Sequence, residues 1–141
     1  MARAAKYQAA RAEFEWRRPE RYNFVRDSFA AQARAQPDAT ALHWTSASGE
    51  EQIVSFADML VRANHAAGFL FEQGLRRGDI ALLVLSRELP WWEIILGCLQ
   101  LGVIVSPGTT QLMKKDFLYR LSATRAKAII TNAQCAPRVE E

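Results

Sequence analysis

The chain has 141 residues, of which 50% are hydrophobic and 23% charged, so it can bury the core of one domain and is not disordered as a whole. Its formal net charge is only +3, with basic residues scattered among acidic ones, which argues against a nucleic-acid-binding surface. No apolar run reaches the roughly 18 residues expected of a membrane-spanning helix.

Two features bear on the cellular location. The first 18 residues are rich in Ala and Arg and resemble an organelle transit peptide, but Glu13 and Glu15 interrupt them and no secretory apolar region follows. The two cysteines, Cys98 and Cys135, lie far apart without a CxxC motif or a Cys/His cluster, which fits a reducing compartment and disfavours a metal site. We therefore expect a cytoplasmic protein, with the mitochondrial matrix as the alternative.

The first predicted elements are a helix and a β-hairpin. Asn23 can cap a helix that carries Phe29 and ends before Pro37. The short apolar stretches 41–45 and 52–54 are separated by Ser-Ala-Ser-Gly, a small polar cluster typical of turns. This pattern predicts two antiparallel strands.

The clearest predicted helix follows the hairpin. Ser55 with Asp58 three residues later is close to a capping box, and apolar residues recur at helical spacing until Gly74 ends the helix. The unbroken apolar run 80–85 then predicts a strand that is covered on both faces. Such a strand belongs at the centre of a parallel sheet.

Two further helix–strand units complete the pattern. Pro90 suits the first turn of a helix that Gly102 ends, and residues 103–105 are predicted as the next buried strand. The last predicted helix has an apolar face made of Phe117, Leu118 and Leu121. The short strand 128–130 follows it. The predicted fold class is α/β, a mostly parallel three-layer-type sheet with flanking helices plus an N-terminal β-hairpin.

The segment 106–114, SPGTTQLMK, resembles a phosphate-binding loop that opens a helix, because it offers backbone N–H groups, two hydroxyls and a lysine. However, Pro107 has no N–H to donate, and Gln111 stands where a second glycine would let the backbone wrap around an oxygen. The position of Lys114 does not fit GxxxxGK[ST] either. We favour a simple turn in which Gly108 relaxes the backbone; a small independent nucleotide-binding domain is the alternative.

Other candidate site residues are weaker. His43 and His65 have no Cys or Asp partner at an obvious spacing, so packed or solvated histidines are the favoured interpretation. Trp91 and Trp92 are candidates for an apolar binding wall, although core and surface packing is favoured. The stretch 86–88 follows a strand at a ligand-facing position, although an exposed charged turn is the commoner case. Neither GxSxG nor HExxH occurs.

Several short motifs occur in a specific order: Tyr22-Asn23-Phe24, Arg77-Gly78-Asp79, Glu88-Leu89-Pro90-Trp91-Trp92, Pro107-Gly108-Thr109-Thr110-Gln111 and Asp116-Phe117-Leu118-Tyr119-Arg120-Leu121. Their order and spacing resemble the N-terminal part of an acyl-coenzyme A synthetase of the adenylate-forming superfamily, in its medium-chain subgroup. The resemblance covers nearly all of residues 22–132.

This resemblance implies a chemistry and a larger protein. The family uses ATP and Mg²⁺ to convert a carboxylate into an acyl-adenylate, and the thiol of coenzyme A then attacks to give the thioester. In the family, the phosphate loop and the catalytic lysine come later than this segment, which makes residues 106–114 an earlier turn. Residues 1–22 would then be a polar N-terminal segment, and residues 23–141 the incomplete N-terminal α/β portion of an AMP-binding domain within a multi-subdomain fold.

The same resemblance implies what the chain does alone. It is expected to be inactive and to hold none of these cofactors convincingly by itself. Its partner would be the missing remainder of the enzyme or a second copy of itself. A self-associating or partner-binding module without catalysis is the alternative, since residues 128–131 are a candidate exposed strand edge.

One functional position of the medium-chain subgroup matches residue by residue. Gln111 resembles a contact for coenzyme A, and an amide can both donate hydrogen bonds to the pantetheine arm and accept them. The same side chain could equally tie the loop to its own backbone. Met113 departs from the hydroxyl residue that the family often has three positions before Asp116, which predicts the loss of a capping box.

Overall fold

The computed structural model describes residues 2–16 and 18–140. Its helices are α1 (Ala2–Glu13), α2 (Ala30–Ala35), α3 (Phe56–Glu72), α4 (Leu89–Leu101), α5 (Lys114–Thr124) and α6 (Pro137–Glu140), with a π-helical segment, Phe24–Phe29, directly before α2. Its strands are β1 (Thr40–Thr45), β2 (Glu51–Ser55), β3 (Ile80–Val84), β4 (Ile104–Pro107) and β5 (Ala128–Thr131). The element order confirms the predicted α/β pattern. None of the helices in the described residues is both long and apolar enough to cross a membrane.

The strands form two separate sheets. β1 and β2 make the predicted antiparallel hairpin, and the other three strands make a parallel sheet in the order β4-β3-β5. In the parallel sheet, Leu82 of β3 lies opposite Ser106 on one side and Ile129 on the other. Residues 81–84 are buried, which confirms that the apolar run is the central strand.

The main core lies where α3 and α4 meet the parallel sheet. Its buried members are Leu70, Leu75, Ala81, Cys98 and Val103. Burial raises the pKa of the Cys98 thiol to about 11, so this thiol stays protonated at neutral pH. Cys98 is therefore a core residue and not a reactive nucleophile.

The predicted helix caps are present. The Asn23 side chain accepts hydrogen bonds from the N–H groups of Val25 and Arg26, at 3.1 Å each. Its amide also donates to the Leu99 carbonyl at 2.8 Å and to the Gln100 carbonyl at 3.2 Å, which joins the N-terminal helical segment to the end of α4. Ser55 caps α3 by accepting from the Asp58 N–H at 3.1 Å.

Two predicted burial patterns were wrong in detail. The strand expected at residues 103–105 is Ile104–Pro107, and Ile104 is 54% exposed because β4 is an edge strand of a three-stranded sheet. On α5, Phe117 is buried whereas Leu118 is 59% exposed. Consecutive helical residues point in directions about 100° apart, so both cannot face the same neighbour.

The polar N-terminal segment contains a helix that the sequence pattern did not predict. α1 covers Ala2–Glu13, and residues 4–16 are exposed. Tyr7, Phe14 and Trp16 are among its exposed aromatic side chains. The division at residue 22 stays a prediction.

Asp79 joins the turn before β3 to the residue before β5, and its protonation should weaken the fold. Its carboxylate accepts from the Lys127 ammonium at 2.8 Å and from the Arg76 N–H at 2.7 Å. These bonds hold the pKa of Asp79 below its ordinary value. Because the folded-state pKa is the lower one, the stabilisation is complete above the unfolded-state pKa of about 4 and is lost as pH falls below it.

The urea unfolding midpoint of the wild type should fall when the pH is lowered from 6 to 3. We expect the midpoint of Asp79→Asn to fall less over the same pH range. Asp38→Asn is the matched control, because the exposed Asp38 carboxylate has no hydrogen-bond or ion-pair partner among the described residues. The urea midpoint of Asp38→Asn should fall with decreasing pH as much as that of the wild type does. An unchanged acid slope in Asp79→Asn would show that the Lys127 contact does not stabilise the fold.

Candidate ligand-binding cleft at the carboxyl edge of the parallel sheet

Open parallel sheets place ligands at the carboxyl ends of their strands. Here the loop after β4 and the segment after β5 face each other across an open cleft of about 440 Å³. The cleft is lined by Thr110, Gln111, Met113, Gln134, Cys135 and Arg138. Gln111, the site residue that the family resemblance implies, is therefore one of the residues that line this cleft.

Gly108 packs the loop tightly against the sheet. Its N–H donates to the Leu83 carbonyl at 2.9 Å. A Cβ atom at this position would lie 2.8 Å from Leu112 Cδ1 and 3.2 Å from Val84 Cγ2. The glycine therefore allows a close approach of the loop to β3, and its N–H is already used.

Other backbone donors of the loop also bond within the chain. The N–H of Gln111 donates to Thr109 Oγ1 at 3.3 Å, and that of Leu112 donates to the Thr109 carbonyl at 3.2 Å. The Met113 N–H donates to the Asp116 carboxylate at 2.9 Å. A phosphate at this loop would have to compete with these bonds and with the negative charge of Asp116 at the start of α5.

Met113 stands where the family often has a hydroxyl residue, and this difference removes only one half of the capping box at the start of α5. Met113 has no hydroxyl to accept from the Asp116 N–H, and this N–H donates to the Met113 carbonyl at 2.8 Å. The reciprocal bond, from the Met113 N–H to Asp116, is present. The helix start is therefore retained, together with the loop conformation that precedes it.

Gln111 presents its side chain to the cleft. The residue is exposed, and its carboxamide makes no hydrogen bond to any described residue. Its backbone is held by the turn at Thr109. The carboxamide can therefore offer both a donor and an acceptor to a ligand.

The opposite side of the cleft is tied to the same loop. Arg138 Nη1 donates to the Thr110 carbonyl at 2.6 Å, and Cys135 Sγ lies 4.0 Å from that oxygen. Sequence reasoning did not single out Arg138 or Gln134. The signal that could have found them is their position just after the last parallel strand.

The stretch 86–88 holds neighbouring elements together. Glu88 accepts from Ser86 and from the Asn132 amide, the latter at 2.9 Å. The Arg87 carbonyl accepts from the Trp44 indole at 2.7 Å. These contacts connect the end of β3 to the hairpin and to the residue after β5.

The remaining candidates lie apart from the cleft. His43 pairs with Glu51 at 3.0 Å on the exposed hairpin, and His65 is exposed on α3. Trp92 packs edge-on against Trp91, with ring centroids 4.6 Å apart. Trp92 also lines a second, apolar cavity of about 360 Å³. The described residues contain no cluster of His, Cys, Asp or Glu that could hold a metal ion.

Comparison with known proteins identifies the class. Residues 29–141 match the family model described as AMP-binding enzyme, and the chain belongs to this family. The human mitochondrial acyl-coenzyme A synthetase ACSM3 is 36% identical in an alignment of length 140 that covers 95% of this chain and 24% of the relative. The mouse mitochondrial acyl-coenzyme A synthetase ACSM1 is 39% identical in an alignment of length 129 that covers 86% of this chain and 22% of the relative.

A solved structure agrees with these relatives. The anthranilate CoA ligase AuaEII, in complex with anthranoyl-AMP, matches with a TM-score of 0.74 and 25% identity, over 87% of this chain and 23% of that one. These similarities confirm the resemblance to the N-terminal part of medium-chain acyl-coenzyme A synthetases. The chain spans about a quarter of the length of the curated relatives it matches.

Proposed function

We propose that the chain contributes the N-terminal part of an enzyme that ligates a medium-chain fatty acid to coenzyme A through an acyl-adenylate, with ATP and Mg²⁺. The observation that carries this proposal is the match to acyl-coenzyme A synthetases over 95% of the chain. The structure of a CoA ligase with a bound acyl-adenylate supports the same reaction route.

We further propose that Gln111 contacts coenzyme A. Its carboxamide faces the cleft without a hydrogen-bond partner in the described residues. This observation favours the ligand contact over the alternative in which the side chain ties the loop to its own backbone. An amide-rich pantetheine arm is a suitable partner for such a group.

The alternative of an independent nucleotide-binding domain has less support. The N–H groups of Gly108, Gln111 and Leu112 bond within the chain, and the Asp116 carboxylate lies at the start of α5. Self-association retains one supporting observation, because β5 is an edge strand of the parallel sheet.

The cellular location is proposed from the relatives. Their names favour the mitochondrial alternative over the cytoplasmic location expected from the sequence.

The proposal can be tested by assaying the ligation reaction with two proteins: the chain alone, and a hybrid enzyme that contains it. The chain alone, with ATP, Mg²⁺ and a C6 to C10 fatty acid, should release no pyrophosphate above background. A hybrid of human ACSM3, in which residues 23–132 replace the aligned segment, should release pyrophosphate and form the thioester. Robust release by the chain alone would contradict the proposal, as would a hybrid that unfolds cooperatively but is inactive.

A further inference from the structure

The net charge of the chain lies in its first 18 residues. Residues 1–18 contain five basic and two acidic residues, which gives +3, the same value as the formal net charge of the whole chain. Residues 19–141 contain thirteen basic and thirteen acidic residues and are neutral overall. The N-terminal segment is therefore the part of the chain that a negatively charged surface attracts.

The side chains of this segment are open to solvent. Lys6 and Arg11 are exposed and make no ion pair or side-chain hydrogen bond with any described residue. Tyr7, Phe14 and Trp16 are 62%, 60% and 89% exposed. The rings of Phe14 and Trp16 pack edge-on against each other, with centroids 5.1 Å apart. The segment thus presents unpaired cations and aromatic rings side by side.

This combination suits a membrane surface. Tyr7 and Arg11 are one turn apart in α1 and share a face of the helix, and Phe14 and Trp16 come directly after its end. In a helix that lies in a membrane interface, aromatic rings enter the boundary between headgroups and acyl chains, while long basic side chains reach the lipid phosphates. We propose that residues 2–16 bind an anionic lipid surface in this way.

The acidic residues of the segment favour a lipid surface over a nucleic acid. Glu13 and Glu15 alternate with Phe14 and Trp16 along the chain. Bases stacked on these two rings would bring their phosphates next to the carboxylates, which repel them. A membrane is contacted from one side only, so the carboxylates can stay in water while the rings insert.

Co-sedimentation of the chain with two kinds of vesicle tests the charge part of the proposal. One kind is pure phosphatidylcholine, and the other mixes phosphatidylcholine and phosphatidylserine in a three-to-one ratio. The wild type should bind the anionic vesicles more tightly, and added salt should weaken this binding. Lys6→Gln combined with Arg11→Gln should weaken it by about fivefold for each charge removed and leave binding to the neutral vesicles unchanged. Arg34→Gln combined with Lys115→Gln removes two exposed charges elsewhere and should bind as the wild type does.

A second pair of variants tests the insertion of the rings. Phe14→Ala combined with Trp16→Ala should weaken binding to both kinds of vesicle, by about tenfold for the anionic ones, because insertion of the rings does not depend on lipid charge. The matched control combines Phe69→Ala with Tyr119→Ala, whose side chains are 61% and 73% exposed. This control should bind both vesicles as the wild type does.

Four results would overturn the proposal. The first is a wild-type chain that binds neither kind of vesicle, and the second is a charge variant that binds the anionic vesicles as tightly as the wild type. The third is a control pair that weakens binding as much as its matched variant. The fourth is an aromatic variant that binds anionic vesicles unchanged while the charge variant does not, which would make the segment a general polyanion-binding surface, as for a nucleic acid.

Discussion

Leu82→Ala is expected to lower the free energy of unfolding by about 2 to 5 kcal/mol, the range observed when a buried leucine leaves a cavity. Leu82 is 1% exposed on the central strand, with Ser106 and Ile129 as its cross-strand neighbours. Because a strand paired on both sides and packed by helices cannot move to fill the space, the loss should reach the middle of this range or more. Small domains have a total stability of about 5 to 15 kcal/mol, so the variant should lose a large part of it.

Leu118→Ala is the matched control for this truncation. The same side chain is removed, but Leu118 is 59% exposed on α5, and surface substitutions usually change stability by about 0.5 kcal/mol or less. Urea unfolding followed by circular dichroism gives both values. Equal losses in the two variants would mean that Leu118 is covered in solution, or that β3 is not the centre of the core.

Gly97→Ala should also destabilise the protein, although this substitution normally favours a helix by about 1 kcal/mol. A Cβ atom at residue 97 of α4 would lie 2.9 Å from Ala66 Cβ and 2.9 Å from the backbone nitrogen of Ala67 in α3. A backbone atom inside a helix cannot rotate away, so the two helices must separate. Overpacking of this kind costs about 1 to 3 kcal/mol, which gives a net loss of up to about 2 kcal/mol once the helix preference of about 1 kcal/mol is subtracted.

Gly68→Ala tests the same chemistry without the contact. Gly68 lies in α3, and a Cβ there would meet no atom within 4 Å. The variant should gain up to about 1 kcal/mol. Chemical denaturation of the pair under identical conditions should therefore give shifts of opposite sign. A stabilised Gly97→Ala would show that α3 and α4 are farther apart in solution than in the structure.

Much of the local structure was predictable because its causes are local. Asn23 and Ser55 cap helices through their own side chains, and Gly102 ends α4 in the left-handed region at φ 76°. The central strand was recognisable as an unbroken apolar run. Each of these features depends on residues within a few positions of one another, so the pattern in the sequence is sufficient.

The candidate site was predictable only in part. Gln111 was identified through the resemblance to a family, and the structure places it in a cleft. Arg138 was not identified, because its contact with Thr110 spans 28 positions in the chain. The exposure of Ile104 was missed for a similar reason, since it depends on β4 lying at the edge of the sheet.

The sequence by itself determined the order of helices and strands, the position of the buried central strand and the family to which the chain belongs. Hydrophobic periodicity, capping side chains and motif order are properties of the linear chain, and they need no knowledge of distant contacts. The tertiary structure decided which face of each element is covered, how closely Gly97 lets two helices approach, and that Arg138 and Gln111 line one cleft. Those features depend on strand order and helix packing, which bring together residues far apart in the chain.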